Sequence, residues 1–338
     1  MASPRQTMSR LSLAVMAVAL LVGCGSQAGP KAPPGVSQKT FEQQLAEAAN
    51  VSAADFPAPK GRTARDMARQ MLSGNSVGFA TSVLVPGTQR LAFGVLDRAN
   101  RFVYGKTAVY VSPSPDARAE GPFPAPADTL VTRPAFRSQT AASETSPIAA
   151  IYAAQVPFKR SGLYDVLVVT RRGSRLLGAG ARVTVRPDTP IPGLGERPPA
   201  IDTDTVQGAG GNIGSIDTRI PHAPELHKVS LRDVLGRKPT VLLFATPQLC
   251  QSRVCGPVVD IELQMKDEFG DKLAWIHEEV YRHNKVSDGL RSQLRAFHLQ
   301  TEPWLFTIDR SGRIRARMEG SFGVNAFHDA IEAALRAS

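Results

Sequence analysis

The stretch VLLFATPQLCQSRVCGPVVD, residues 241–260, joins an apolar run to a pair of cysteines and then to a second apolar run. The first run is continuous rather than alternating, which is typical of a strand buried on both of its faces. The second run places Val258, Val259 and the apolar residues after them where a helix needs side chains that face a core. The stretch therefore predicts a buried strand, a cysteine pair at its carboxyl end, and a helix that follows the pair.

The residues on either side of this stretch continue the alternation of strands and helices over residues 230–338. A short helix is expected before the strand, and a strand, a helix, a two-stranded hairpin and a last helix are expected after the first long helix. In order, the segments are VSLRDVLG, KPTVLLFAT, GPVVDIELQMKDEF, KLAWIHEEVY, DGLRSQLRAFHL, PWLFTID, RIRARMEG and NAFHDAIEAALRA. This order predicts an α/β domain with a mixed sheet covered by helices.

Three segments of this region resemble the thioredoxin fold, and in particular the thiol–disulfide oxidoreductases of the TlpA type. They are residues 241–260, the helix end and strand in DEFGDKLAWIHEEV, and the segment QTEPWLFTIDRSGRI. The resemblance implies that the two cysteines exchange disulfides with a partner. It assigns the role of exposed nucleophile to Cys250 and the role of buried resolving thiol to Cys255.

The segment QTEPWLFTIDRSGRI matches the part of the family that contains a cis-proline, and this match places the cis-proline at Pro303, across from the cysteine pair. In the family, the cis amide exposes the preceding backbone to a substrate strand and orients the partner for mixed-disulfide exchange. The resemblance therefore assigns substrate contacts to the neighbours of Pro303, which are Thr301, Glu302 and Trp304.

The spacing of the two cysteines departs from the thioredoxin pattern, because four residues separate them instead of two. On a continuous helix, residues five apart are about 140° out of phase and too far apart for an unstrained disulfide. Cys250 is therefore expected in the loop or on an unwound first turn, where the positive end of the helix lowers the pKa of a thiol. A static disulfide would close a very short loop and stabilise the fold little, so a redox-active pair is favoured.

Charged residues near the pair have opposing expected effects on its thiols. The Glu302 carboxylate raises the pKa of a nearby thiol, whereas Arg253 either favours the thiolate or is only a solvated surface charge. The strand TVLLF lacks the buried aspartate that assists proton transfer in many thioredoxins. His277, Glu278 and Glu279 are candidates to replace that aspartate, although a histidine at a strand end is more often structural.

The N-terminal segment predicts export and lipidation. Arg5 and Arg10 precede the apolar run LSLAVMAVALLV, which is shorter than a membrane-spanning helix and is typical of a signal peptide. The run is followed by Gly23 and Cys24, in an arrangement that resembles the lipobox of bacterial lipoproteins. The resemblance implies that residues 1–23 are removed and that Cys24 is acylated, which anchors the protein to the extracytoplasmic face of a membrane. An ordinary secretory signal is the alternative, and it also predicts export to a compartment where disulfides persist.

Between this anchor and the α/β domain, the sequence predicts a tether, a β-domain and a linker. Residues 24–75 begin with a small, polar, proline-rich segment and are expected to form a lipidated tether. Residues 76–187 contain short β-rich runs separated by Pro, Gly, Asn and Asp, which predicts an all-β, immunoglobulin-like sandwich. Residues 188–229 lack apolar periodicity and are expected to be a linker to the thioredoxin-like domain, residues 230–338.

The composition limits the partners that are expected. The 338-residue chain has a formal charge of +10, of which Arg5 and Arg10 supply two, leaving +8 after cleavage. Lys and Arg are dispersed and form no basic run interleaved with aromatic residues, so no nucleic-acid partner is expected. The positive net charge is explained instead by solubility and by attraction to an anionic membrane surface. The expected partners are thiols or disulfides of envelope proteins, or a small thiol. Because the electrons reside on the two sulfurs, no cofactor and no metal ion are expected.

Three other functions remain open on the sequence alone. The C-x4-C spacing also occurs in Q-type peroxiredoxins, but Thr246 lies four residues before Cys250 instead of three and lacks the preceding proline. A Sco-type copper chaperone combines two thiolates with an imidazole, for which His277, His283 and His298 are candidates, although the Sco spacing and loop are missing. In the third alternative, the sandwich presents a binding surface and the protein is not an enzyme.

Overall fold

The computed structural model describes residues 30–139, 148–250 and 255–337. The strands within them are β1 (Ser76–Phe79), β2 (Gly87–Leu96), β3 (Thr107–Ser112), β4 (Glu120–Pro124), β5 (Ala127–Thr129), β6 (Ala150–Phe158), β7 (Gly162–Arg172), β8 (Arg175–Val185), β9 (Thr240–Phe244), β10 (Ala274–Glu278), β11 (Trp304–Ile308) and β12 (Ile314–Glu319). The α-helices described in full are α1 (Gln38–Ala49), α2 (Ala64–Ala68), α3 (Leu231–Val234), α4 (Cys255–Phe269), α5 (Ser292–Ala296) and α6 (Val324–Arg336). The predicted signal segment and Cys24 lie outside the described residues. Within the described ranges, no helix has the length and apolar character needed to span a membrane.

The first eight strands form two four-stranded sheets with antiparallel pairings. Their strand orders are β1-β2-β6-β5 and β4-β3-β7-β8. One apolar cluster contains Phe93 and Tyr152 from the first sheet together with Val109 and Val168 from the second. The two sheets therefore form two layers around a shared core, because the alternate side chains of each strand face the other sheet.

Six of these eight strands coincide with the β-rich runs of the sequence, and β4 and β5 coincide with none. The runs are SVGFATSVLV, RLAFGVLD, TAVYVS, PIAAIYAAQVPF, GLYDVLVVTRRG and GAGARVTVRP. Strands β4 and β5 are both at the edge of a sheet, and β4 contains Pro122 and Pro124. Proline has no N–H group to donate to a neighbouring strand, so it is tolerated at a sheet edge but hides the usual strand pattern. The region is accordingly richer in strands than its sequence indicates.

Two helices from the region expected as a tether contact the sheets. The Oγ atom of Ser37 accepts the N–H group of Thr40 and caps α1, and Phe41 of this helix is buried in the apolar cluster of the two sheets. Met67 of α2 is fully buried against residues of β3 and β7. Residues 24–75 therefore contain folded helices, which bury too few side chains to give a clear apolar periodicity.

The remaining strands form a mixed sheet with the order β10-β9-β11-β12. Strands β9 and β10 are parallel, and β11 is antiparallel to both of its neighbours. Val241 and Leu243 of β9 lie in the apolar cluster that includes α4 and α6, whereas Leu242 and Phe244 lie in the cluster that includes α5. The strand is thus buried on both faces, as its continuous apolar sequence predicts, and helices cover both sides of the sheet.

Residues 188–229, expected as a linker, are folded against this α/β domain. Asp217 and His227 are fully buried. The Asp217 carboxylate accepts the N–H groups of Arg219 at 2.8 Å and Ala223 at 2.6 Å. Polar side chains thus satisfy backbone groups that regular secondary structure would otherwise pair, which explains how a segment without apolar periodicity is nevertheless buried.

The β-region and the α/β domain share hydrogen bonds that position one against the other. Glu319, at the end of β12, accepts the N–H groups of Ser82 at 2.9 Å and Val83 at 2.7 Å. Asp128 of β5 accepts two backbone N–H groups in the first turn of α6, at 3.1 and 2.8 Å. A carboxylate at this position pairs with N–H groups that have no partner within the helix, so the β-region caps a helix of the other domain.

Candidate active site at the cysteine pair

Cys250 and Cys255 are joined as a disulfide, with their Cα atoms 6.0 Å apart. Cys250 lies in the loop after β9 and is partly exposed, whereas Cys255 is the first residue of α4 and is 0% exposed. The prediction that Cys250 lies outside the helix is confirmed, and this position lets two cysteines five residues apart come within bonding distance. The arrangement leaves Cys250 partly exposed and buries Cys255.

Helix α4 begins at the pair for local reasons. Gly256 and Pro257 follow Cys255, and proline is tolerated in a first turn because its missing N–H group has no partner there. Val258 and Ile261 are fully buried in the apolar cluster between α4 and the sheet. The 15-residue helix thus directs its positive end at the disulfide, which favours thiolate over thiol after reduction.

The loop before β11 contains the cis-proline expected from the sequence. The peptide bond between Glu302 and Pro303 is cis, and Pro303 is buried. A Glu302 carboxylate oxygen and the two cysteine sulfurs lie within 4.8 Å of one another. Among the residues that the structure describes, no histidine belongs to this cluster, and the Sco-type candidates His283 and His298 are exposed.

Glu302 has an unusual pKa for a carboxyl group. Burial is the largest influence and raises the pKa of Glu302 to about 7. The hydroxyl of Tyr281 donates to the Glu302 carboxylate at 3.4 Å and lowers this pKa, whereas the charge of Glu279 raises it. Glu302 therefore changes its charge near neutral pH while lying within 4.8 Å of both sulfurs. Its negative form disfavours a nearby thiolate, and its neutral form does not.

Thr301 and Trp304, the other predicted substrate contacts, are hydrogen-bonded to each other. The indole N–H of Trp304 donates to Thr301 Oγ1 at 3.0 Å, and this hydroxyl donates to Glu319 at 2.8 Å. Trp304 is only 2% exposed, so its side chain offers little surface to a partner. Its indole N–H group instead orients the side chain of Thr301, and Thr301 lines an open cleft.

A cleft of about 380 Å³ lies between the cis-proline loop and the β-region. Thr301, Glu302, Glu319 and Gly320 line one side. The other side comes from the β-region and is mostly apolar; its residues are Gly78, Phe79, Ala80, Ser82, Gly94, Leu96, Phe102, Ile148 and Ile151. Glu302 is the residue that this cleft shares with the cluster of the two sulfurs, and neither cysteine lines the cleft. Sequence reasoning missed the contribution of the β-region, because residues far earlier in the chain supply it and no local motif marks them.

The three candidates for a buried proton carrier, His277, Glu278 and Glu279, are all fully buried. Glu278 accepts the N–H group of Asp204 at 2.9 Å, and burial raises its pKa well above the usual range. Glu279 accepts both the N–H group and the hydroxyl of Thr218 at 2.7 Å. Since the Thr218 hydroxyl also accepts the N–H group of Gln248 at 3.2 Å, Glu279 is connected to the loop that contains Cys250.

Sequence reasoning also missed Glu262, a fully buried residue of α4 whose two carboxyl oxygens have no hydrogen-bond partner. Burial and the charge of Asp217 raise its pKa well above the usual range. Glu262 follows Cys255 by seven residues, about two turns, and so lies on the same face of the helix. The available signal is an acidic residue inside the apolar run PVVDIEL.

Two residues bear on the alternatives drawn from the sequence. Thr246 is fully buried, and its hydroxyl has no hydrogen-bond partner among the residues that the structure describes. Arg253, considered as a partner for the thiolate, lies outside the described residues. Among the described carboxylates, Glu302 lies within 4.8 Å of both sulfurs.

Comparison with known proteins adds little to this geometry. No protein-family profile matches the chain, and no curated protein is similar to it. A crystal structure described as that of a thioredoxin-like superfamily protein is similar at 15% identity, over 32% of this chain and 86% of that one, with a TM-score of 0.25. The strand order of the mixed sheet, the cysteine pair at the start of α4 and the cis-proline before β11 give the C-terminal part of this chain a thioredoxin-like fold.

Proposed function

We propose that this protein exchanges disulfides with thiols or disulfides of other envelope proteins, or with a small thiol. The supporting observation is a partly exposed Cys250 bonded to a buried Cys255 at the positive end of α4. Thiol–disulfide exchange requires an accessible sulfur that forms a thiolate and a second sulfur that resolves the mixed disulfide. The pair supplies both, and cis-Pro303 lies in the adjoining loop.

In the reducing direction, the Cys250 thiolate attacks one sulfur of a substrate disulfide and expels the other as a thiolate, which gives a mixed disulfide. Cys255 then loses its proton to solvent and attacks the Cys250 sulfur. This step releases the second substrate thiolate and forms the Cys250–Cys255 disulfide. Two electrons have passed from the protein to the substrate, and the reverse steps oxidise a substrate dithiol.

The substrate segment that contains the reacting sulfur is proposed to approach along the cleft beside the cis-proline loop. Thr301 and Glu302 contact it there, whereas Trp304 acts by orienting Thr301. The opposite wall of the cleft is apolar, with Phe79 and Leu96 among its residues. The cleft therefore favours segments with apolar side chains next to the reacting cysteine.

The β-region that supplies this wall is proposed to be an immunoglobulin-like sandwich. What supports the assignment is its strand order, since β1-β2-β6-β5 corresponds to strands A, B, E and D of that fold. The order β4-β3-β7-β8 corresponds to strands C, F and G with one extra strand beside C. In this proposal the sandwich contributes to substrate binding as well as to the spacing from the membrane.

The proposed location is the extracytoplasmic face of a bacterial membrane, with the protein anchored through lipidated Cys24. The apolar run that ends before Cys24 supports cleavage and acylation at this position. A change in electrophoretic mobility and in membrane partition on Cys24→Ala substitution tests this part of the proposal. Retention of full membrane partition by Cys24→Ala would contradict it.

Trapping of mixed disulfides tests the proposed exchange. Cys255→Ser removes the resolving thiol, so Cys250 should remain covalently bound to its partners in adducts that dithiothreitol releases. Cys250→Ser is the matched control, because it keeps one thiol of the pair but removes the exposed one, and it should form no such adducts. Adducts in neither variant, or equal adducts in both, would contradict the assigned roles. Peroxide consumption that depends on Cys250 would instead support the peroxiredoxin alternative.

A further inference from the structure

A second cluster of reactive side chains lies away from the cysteine pair. Asp217 and His227 belong to the segment expected as a linker, and His277 belongs to β10. All three side chains are 0% exposed, and one ligand-type atom from each lies within 4.8 Å of the others. His277 lies on the same face of the sheet as Trp275, because side chains two apart on a strand share a face, and Trp275 packs in the cluster that includes α4.

Backbone carbonyls fix the tautomers of both histidines. His227 Nδ1 lies 3.4 Å from the carbonyl oxygen of Asp204, and His277 Nε2 lies 3.0 Å from that of Ala245. A carbonyl oxygen only accepts, so each of these ring nitrogens must donate a hydrogen. In the neutral rings, His227 Nε2 and His277 Nδ1 then present lone pairs, and neither atom has a hydrogen-bond partner.

Asp217 faces both of these lone pairs. One carboxylate oxygen lies 4.0 Å from His227 Nε2 and the other lies 4.0 Å from His277 Nδ1, which is too long for a hydrogen bond. Each oxygen already accepts one backbone N–H group, from Arg219 or Ala223, and so has a fixed orientation. Three acceptor groups therefore face one another in a buried interior, and no donor from the described residues lies between them, an arrangement that a cation would stabilise.

We propose that Asp217, His227 and His277 bind one divalent transition-metal ion of the zinc type. Two neutral imidazoles and a carboxylate suit such ions, and a metal-bound histidine usually donates its other N–H group to a carbonyl or carboxylate. Bonds of about 2.0–2.2 Å to nitrogen and oxygen require the three groups to move inward by a few tenths of an ångström.

The ion would hold the buried segment of Asp217 and His227 against β10. Thr218, the neighbour of Asp217, accepts the N–H group of Gln248 in the loop before Cys250. Metal binding would therefore order the segment that supports this loop. The role is structural and does not depend on whether the cysteine pair exchanges disulfides.

Metal binding by the oxidised protein tests the proposal. The disulfide form is used because it removes the two thiolates as competing ligands. After dialysis against EDTA and then into chelator-free buffer, the chain is titrated with Zn²⁺ and, separately, with Co²⁺. We expect one ion per chain, visible d–d absorption with Co²⁺, and a thermal midpoint raised by at least about 5 °C at a hundredfold excess of Zn²⁺ over its Kd. A stoichiometry near zero with an unchanged midpoint would overturn the proposal.

Variants locate the ion. His227→Gln and His277→Gln should each weaken Zn²⁺ binding at least about a hundredfold, since each removes one of three ligands. His283→Gln is the matched control, because His283 is exposed and pairs with Asp288 outside the cluster, and it should bind like the wild type. Unchanged binding by both cluster variants would overturn the assignment. If either variant fails to fold, the titration and the Co²⁺ spectrum of the wild-type protein still decide.

Discussion

Replacing Glu302 by glutamine removes the acidic group nearest to the cysteine pair while keeping its shape. The carboxylate lies within 4.8 Å of both sulfurs, and at an effective dielectric constant of about 20 a second negative charge at that distance costs about 3.5 kcal/mol. At about 1.36 kcal/mol per pKa unit this corresponds to about 2.5 units on a thiol. Because Cys250 and Glu302 are both partly exposed, solvent screens the interaction, and we expect Glu302→Gln to lower the pKa of Cys250 by about 1–2 units.

The effect on the redox potential depends on pH in a way that follows from the pKa of Glu302, which burial raises to about 7. Above pH 7 the wild-type carboxylate is charged and opposes the thiolate, so its removal stabilises the reduced form and makes the pair more oxidising. Each tenfold change in the equilibrium constant is about 30 mV for this two-electron couple. We therefore expect the variant to be more positive by about 30–40 mV at pH 8 and by less than about 10 mV at pH 6.

The assay combines iodoacetamide alkylation against pH, which reports the thiol pKa, with equilibration against glutathione at pH 6 and pH 8. Glu268→Gln is the matched control, because Glu268 is a surface glutamate of α4, and it should leave both measurements unchanged. An unchanged thiol pKa in Glu302→Gln, or the same shift in potential at both pH values, would refute the reasoning.

The pH dependence of the free energy of unfolding gives a second measurement. The pKa of Glu302 in the folded protein lies above its value in the unfolded chain, so its protonated form stabilises the fold below about pH 4.5. This stabilisation is lost as pH rises through 7, and the variant should lack that part of the decline.

Three further substitutions test the contacts that position the site, each by chemical denaturation of the purified chain. Arg219 contacts the carboxylate of Asp260 at 2.8 Å in the interior, so Arg219→Ala leaves this carboxylate without its counter-charge. The substitution should lower the free energy of unfolding by about 3–5 kcal/mol. A loss below about 1 kcal/mol would mean that the pair is not buried in solution. Gly320→Ala should destabilise the protein by more than about 1 kcal/mol and reduce exchange activity. Gly320 has a φ of 74°, and the Cβ atom of an alanine at this position would overlap the carbonyl oxygen of Ala80. A variant with wild-type stability would show that the two domains do not meet there. Asp128→Ala removes the cap that β5 supplies to α6 and should cost about 0.5–2 kcal/mol, whereas no loss would show that water replaces the cap.

Local sequence patterns predicted the parts of the structure that depend on local causes. The continuous apolar run of β9 predicted a strand buried on both faces, and its residues do alternate between two cores. The four-residue spacing excluded two cysteines on one helix, and Cys250 indeed precedes α4. The cis peptide bond before Pro303, which the structure contains, came instead from the resemblance of its segment to the thioredoxin family.

The remaining features depend on residues distant in the chain, which a single sequence does not connect. Asp217 and His227 lie in a segment without apolar periodicity, and only its fold against β10 brings them to His277. The wall of the cleft opposite Glu302 comes from strands such as β1, far earlier in the chain. In both cases polar or single apolar residues pair across the fold, and periodicity within one segment does not reveal them.

Equilibration of the Cys250–Cys255 pair with glutathione tests the central claim most directly. The purified chain is held at a series of glutathione ratios at pH 7, quenched with acid, alkylated and weighed by mass spectrometry to count free thiols. We expect one two-electron transition with a midpoint between the values typical of thioredoxin, about −270 mV, and of a strong oxidant, about −120 mV. A pair that remains fully oxidised or fully reduced across the whole series would contradict a role in disulfide exchange.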